Sequence, residues 1–244
     1  MYYLVKYLNF PRYAASTSTT GLSDLYDLFC VASEGYKDHF VKRGIKKEKL
    51  IVTGIPNFDN CEKFLKNDFP HKDFVLVATS DARETLKFEN RKKFIREAIQ
   101  IANGRQMIFK LHPNEKIERA TREIKALAPD AIVLPTGNIN EMIANAAVLV
   151  TQYSSCSYVG LTLNKEVHSY FDVEYLKKLV PLQNSGTSAK VIAEVGKSLL
   201  QMPLQEVKSG KFQSLHCGNN AQPDHSTMLD EQPILNNLSV GKKS

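Results

Sequence analysis

Two short polar motifs hold the residue types that chemistry needs, and each directly follows a run that reads as a strand. Lys110-Leu111-His112-Pro113-Asn114-Glu115 follows Gln106-Met107-Ile108-Phe109, and Thr151-Gln152-Tyr153-Ser154-Ser155-Cys156 follows Ala147-Val148-Leu149-Val150. Each motif is expected to open a helix. A helix start offers unpaired N–H groups and the positive end of a dipole, a combination that favours phosphate. In open α/β sheets, ligands collect beyond the carboxyl ends of the strands. The pattern points to a phosphate site with His112 beside it, an imidazole being able to hydrogen-bond or charge-pair with phosphate. Pro113 suits a first helical turn, where its missing N–H costs little. Ser154 and Ser155 would cap the second helix and offer hydroxyls, while Gln152 and Tyr153 would touch a base or sugar.

Further candidates lie at other strand ends. The loop Thr79-Ser80-Asp81-Ala82-Arg83-Glu84 offers Arg83, whose planar fork suits phosphate, and Glu84 as an acid/base or sugar-hydroxyl acceptor. Gly54, in Val52-Thr53-Gly54-Ile55-Pro56, permits a tight turn where a ligand can approach the backbone. Asp172 follows another expected strand and is a candidate acceptor for sugar hydroxyls. No Gly-x-Gly-x-x-Gly or Walker-type loop is present, which disfavours a nicotinamide dehydrogenase or a P-loop NTPase.

The elements that must position these residues alternate. Strands are expected at 28–32, 50–53, 74–78, 107–111, 132–134, 148–151 and 167–171. Helices are expected at 34–42, 89–102, 115–127, 139–146, 156–163 and 189–200. Such alternation predicts an α/β fold, a Rossmann-like parallel sheet with helices on both faces. Residues 1–60 contain one βαβ unit, 61–72 read as a linker, 73–203 as the main domain and 204–244 as a poorly ordered tail.

Composition narrows the classes of function. The chain has 244 residues, is 43% hydrophobic and carries a net charge of +6, with basic residues scattered rather than interleaved with aromatics. An anionic small ligand fits this better than a nucleic acid. The four cysteines, at 30, 61, 156 and 217, show no zinc spacing and read as reduced thiols of a cytoplasmic protein. His216-Cys217 is an isolated pair. No metal or cofactor is required by these residues, and no apolar run approaches the ~20 residues of a membrane span.

The motifs resemble the carboxyl-terminal, donor-binding half of GT-B-fold nucleotide-sugar enzymes. Asp27 to Glu34, Arg43-Gly44-Ile45 and Ile51 to Asp59 look like the end of such an enzyme's first domain, as in UDP-N-acetylglucosamine 2-epimerases and in capsule and teichoic-acid transferases. Lys110-Leu111-His112-Pro113 resembles the His-Pro motif, and Thr151-Gln152-Tyr153-Ser154-Ser155 the Ser-Ser motif, of CDP-glycerol glycerophosphotransferases and polysialyltransferases. The resemblance implies a glycosyl- or glycerophosphotransferase of surface polysaccharide synthesis. Its donor would be a nucleotide-activated sugar or polyol, its phosphates held by His112, Ser154 and Ser155. It also implies peripheral membrane contact through the acceptor, and a partner chain or further segment supplying the rest of the first domain. The alternatives are a UDP-N-acetylglucosamine 2-epimerase-like enzyme and a non-catalytic nucleotide-binding remnant. Three departures stand out. Cys156-Ser157-Tyr158-Val159-Gly160 lacks the carboxylate that holds ribose in the transferases, Asn164-Lys165-Glu166 replaces Gly-Lys-Pro, and the loop from Ser80 to Thr85 lacks the epimerase histidine.

Overall fold

The computed structural model describes residues 26–82, 84–85 and 89–209. The expectations for residues 1–25, Arg83, His216 and Cys217 fall outside the described residues.

The central strands are short, wholly apolar until their last residue, and buried along their full length. They are β3 (Val75–Ala78), β4 (Met107–Lys110) and β6 (Val148–Thr151). Continuous apolar runs of this kind form where a parallel sheet is covered on both faces. With β5 (Ile132–Leu134) and β7 (Glu166–His168) they make a five-stranded parallel sheet of order β5-β4-β3-β6-β7. Side chains alternate across it. Val75, Val77, Phe109, Val148 and Val150 pack with Phe94, Ile95 and Ala98 of α2 (Arg91–Ala102) and with Ala120 and Ile124 of α3 (Ile117–Lys125). Leu76, Ile108 and Leu149 pack on the other face with Met142 and Ile143 of α4 (Ile139–Asn145) and Val159 of α5 (Cys156–Thr162). Removing each such side chain from water contributes about 1.5–3 kcal/mol.

Ahead of this domain, β1 (Phe29–Val31), α1 (Glu34–Val41) and β2 (Leu50–Val52) form the expected βαβ unit, with Phe29 paired to Leu50 and Val31 to Val52. Ser33 caps α1, its Oγ accepting from Tyr36 N at 3.3 Å and donating to Leu179 O at 3.2 Å. That second bond reaches α6 (Val173–Leu179), which packs on α1. The contact is so close that a Cβ on Gly35 would sit 1.6 Å from Lys178 O. Tyr36 and Tyr158 share a 2.7 Å hydroxyl–hydroxyl hydrogen bond between the two units. The segment after α6 returns to stitch them. Leu182 N donates to Ala32 O at 2.8 Å and Asn184 N to Asp59 O at 2.9 Å. Ser188 N, at the start of α7 (Ser188–Gln201), donates to the buried Asp59 carboxylate at 2.9 Å.

Three local expectations change. Helix α6 occupies a stretch for which no element was expected, and Asp172 caps it. Leu204–Lys208 forms a short helix, α8, where a disordered tail was expected. Helix α3 begins at Ile117, so His112 to Glu115 form a turn, Glu115 N donating to His112 O at 3.0 Å, and not the first turn of a helix. Pro113 thus holds the second position of a β-turn, which its fixed φ suits equally well.

Candidate functional site

The strand order sets the site. From β3 the chain winds one way through β4 to β5. It then returns to lay β6 on the other side of β3 and continues outward to β7. The crevice between the loops after β3 and β6 is the switch point of the sheet, where doubly wound folds receive ligands. Ala78 is in register with Lys110 on one side and Thr151 on the other, so the loops after β3, β4 and β6 leave the sheet at one level.

Hydrogen bonds join these loops. Ser80 Oγ donates to Gln152 Oε1 at 2.7 Å, tying the β3 loop to the β6 loop. Asn114 Nδ2 donates to Asp81 Oδ2 at 2.9 Å, and His112 Nδ1 lies 3.8 Å from that oxygen, tying the β3 loop to the β4 turn. Asn114 N donates to His112 Nδ1 at 3.3 Å. In the neutral ring Nδ1 is therefore the acceptor, and Nε2 carries the proton available to a ligand.

Beneath His112 lies a buried charged cluster. Glu115 Oε2 accepts from His112 N at 2.8 Å and also from the Thr79 hydroxyl. Its Oε1 pairs with Arg91 at 2.8 Å, and Arg91 also pairs with Glu89 at 3.4 Å. All three charged side chains are almost wholly inaccessible, Arg91 at 4% and each glutamate at 2%. Lys110 is buried as well, its Nζ donating to Leu111 O at 2.7 Å and Pro135 O at 3.3 Å. Burial pushes its ammonium pKa down, against the opposing pull of Cys156 and Glu115. None of these buried groups was assigned a role from sequence. The spacing from His112 to Glu115 hints at a side chain reaching back to its own turn, but nothing in the sequence shows that Arg91 would meet it.

A cavity of about 820 Å³ opens between the β3 loop, the start of α2 and the β6 loop. Gln152 and Tyr153 belong to its wall, as do Asp81 and Glu97. His112 does not line it, but its Nδ1 lies 3.8 Å from Asp81, which does. Ser154 and Ser155 lie further along the β6 loop. Ser154 Oγ accepts from Cys156 N at 3.3 Å at the start of α5, whereas Ser155, the residue just before the helix, makes no side-chain capping bond.

Other sequence candidates lie elsewhere or are engaged. Glu84 Oε1 is ion-paired with Arg119 and accepts from Lys116 N at 3.5 Å at the start of α3. Burial raises its pKa, but the bonds from Arg119 and backbone outweigh this and hold the carboxyl below its usual range. A carboxylate of this chain thus occupies the helix end that the sequence offered to phosphate, which leaves Glu84 ill suited to donate a proton. Asp172 caps α6, Oδ1 accepting from Tyr175 N at 3.1 Å. Gly54 has φ +76°, and what approaches it is Ser188, whose Oγ lies 2.2 Å from where a Cβ would stand. Among the described residues, no three His, Cys, Asp or Glu side chains gather to hold a metal ion. No described helix is long and apolar enough to cross a membrane.

Comparison with solved structures identifies the architecture. Staphylococcus aureus MnaA, solved with UDP, is 14% identical over 82% of this chain and 65% of its own, with a TM-score of 0.53. The Methanocaldococcus jannaschii UDP-GlcNAc 2-epimerase, solved with UDP-GlcNAc and UDP, is 15% identical over 70% of this chain and 61% of its own, with a TM-score of 0.50. The fold is GT-B. The wall teichoic acid polymerase TagF is more distant, 11% identical over 75% of this chain and 59% of its own at a TM-score of 0.42. No protein-family model and no curated protein matches the chain. The chain spans 61–65% of the length of the first two proteins. At these identities the likeness is one of fold.

Proposed function

We propose that the chain is the donor-binding half of a nucleotide-sugar-dependent transferase, moving a glycosyl or glycerophosphate group in surface polysaccharide synthesis. The observation that carries this reading is the switch-point cavity between the β3 and β6 loops, with the β4 turn of His112 hydrogen-bonded to the β3 loop beside it. His112 would offer Nε2–H to the negative charge that develops on a departing nucleotide phosphate. Gln152 of the cavity wall, Arg83, Pro113 and the Ser154–Ser155 hydroxyls complete the proposed phosphate environment. The UDP and UDP-GlcNAc held by the two proteins of like fold support a nucleotide-sugar donor here. The acceptor side and its catalytic base would come from further polypeptide, in this protein or a partner.

The 2-epimerase reading needs acid/base carboxylates near the sugar. Glu84 is bound to Arg119 and Asp172 to its helix, which ranks this reading below the transferase. Binding without turnover is the third reading.

Calorimetric titration with CMP, CDP and UDP tests the proposal. At least one is expected to bind, and His112→Ala is expected to weaken it by about 1–3 kcal/mol through loss of a charge-assisted bond. No heat with any of the three would overturn the nucleotide reading, and an unchanged affinity in the variant would remove His112 from the site. Proton NMR after incubation with UDP-N-acetylglucosamine would reveal epimerisation directly.

A further inference from the structure

The described wall of the switch-point cavity is ill matched to phosphate. Among the described residues, Asp81, Glu89 and Glu97 line it against one ammonium, Lys93, whose Nζ lies 3.7 Å from Glu97 Oε1. Phosphate oxygens need donors, and these carboxylates are acceptors. They also have partners already. Asp81 accepts from Asn114, Glu89 pairs with Arg91, and Glu97 accepts from the Tyr170 hydroxyl at 2.9 Å. Glu89 is spent on Arg91 and almost wholly inaccessible, while the oxygens of Asp81 and Glu97 can each accept further hydrogen bonds, so the wall suits hydroxyl donors.

The second feature is aromatic. Tyr153, on the same wall, is 69% exposed although it is a large ring. It is held edge-on by Tyr170, with centroids 5.6 Å apart, and by Phe171 at 5.2 Å. Tyr170 is fixed in turn by Phe94 at 6.0 Å and by its bond to Glu97. A ring held in place yet left open to solvent provides a flat apolar platform at small conformational cost.

We propose that this cavity seats the uncharged, polyhydroxylated part of the donor, a sugar ring or polyol lying against Tyr153 with its hydroxyls donated to Asp81 and Glu97. This rests on the nucleotide-donor reading above. It places the phosphates outside the acidic wall, at the His112 side of the rim, and moves sugar recognition from Asp172 to the β6 loop and α2.

The test compares matched ligands, UDP with UDP-N-acetylglucosamine and CDP with CDP-glycerol, by calorimetry on the full chain and on Tyr153→Ala. Because Tyr153 is exposed, the variant is expected to keep its circular dichroism spectrum. In at least one pair the sugar- or polyol-bearing ligand binds the wild type more tightly than the bare nucleotide. Tyr153→Ala weakens that ligand about fivefold and changes the bare nucleotide by less than about twofold. Equal losses for both members would make Tyr153 a nucleotide contact and overturn the proposal, as would no loss in either. If no nucleotide binds the wild type, the donor reading falls by itself, and saturation-transfer NMR with free N-acetylglucosamine and glycerol decides the cavity. Transfer in the wild type that vanishes in Tyr153→Ala supports the seat, and no transfer overturns it.

Discussion

The buried cluster under His112 yields an ordered set of stabilities. Arg91 stands between Glu115 at 2.8 Å and Glu89 at 3.4 Å, with all three side chains at most 4% exposed. Breaking a buried ion pair by removing one partner costs about 3–5 kcal/mol, because the remaining charge is left without compensation. Arg91→Met leaves two carboxylates in that position, so its cost should lie at or above the top of that range. Glu115→Gln is milder. The amide oxygen still accepts from His112 N, and Arg91 keeps Glu89, so the loss should be about 1–3 kcal/mol, that of a charged hydrogen bond made neutral. Glu115→Ala removes both the charge and the acceptor and should fall between the two. Against a total stability of about 5–15 kcal/mol, these losses are easily measured. The assay is urea unfolding at pH 7 followed by circular dichroism, comparing midpoints at unchanged slope. If Arg91→Met costs less than Glu115→Gln, or both cost under about 1 kcal/mol, the cluster is not the charge-balanced support described here.

Other expectations can be checked in the same preparations. Gly35→Ala drives a methyl into the Lys178 carbonyl, a backbone group that cannot swing aside, and should cost about 3 kcal/mol or more in urea unfolding. Asp172→Ala should cost about 1 kcal/mol as a lost helix cap while leaving nucleotide affinity within about twofold in calorimetry. Burial, reinforced by the bond to Glu97, pushes the Tyr170 hydroxyl pKa up to about 12. The unfolded chain ionises this tyrosine near 10, so its contribution to stability is present below that pH and is lost as pH rises towards 12. The absorbance titration of wild type minus Tyr170→Phe should show this late ionisation, and a difference centred near 10 would refute it.

Much of the sheet is readable from the chain because its central strands announce themselves. Val75–Ala78, Met107–Lys110 and Val148–Thr151 are apolar runs bounded by polar loops, and no competing period disturbs them. Helix α6 was harder to foresee because its seven residues are too few to show a period and its stability comes from packing on α1. The site divides in the same way. His112 and Gln152 could be placed at strand ends from local pattern alone. That Glu84 would be taken by Arg119, 35 residues away, or that Ser188 would fill the space beside Gly54, depends on contacts no local window contains. Residue type reveals what a group can do, and only the partner decides whether it is free to do it.

The clasp around Asp59 bears on how the molecule comes apart. The βαβ unit is among the earliest segments of the described chain, yet Leu179, Leu182, Asn184 and Ser188 fasten it from far along the sequence, the first of these 146 residues from its partner Ser33. A three-residue strand pair has little cohesion of its own. Its order is therefore borrowed from the returning stretch, and heating or denaturant should melt both units in one cooperative step. Clipping the backbone near residue 184 would loosen the amino-terminal unit as surely as a cut within it.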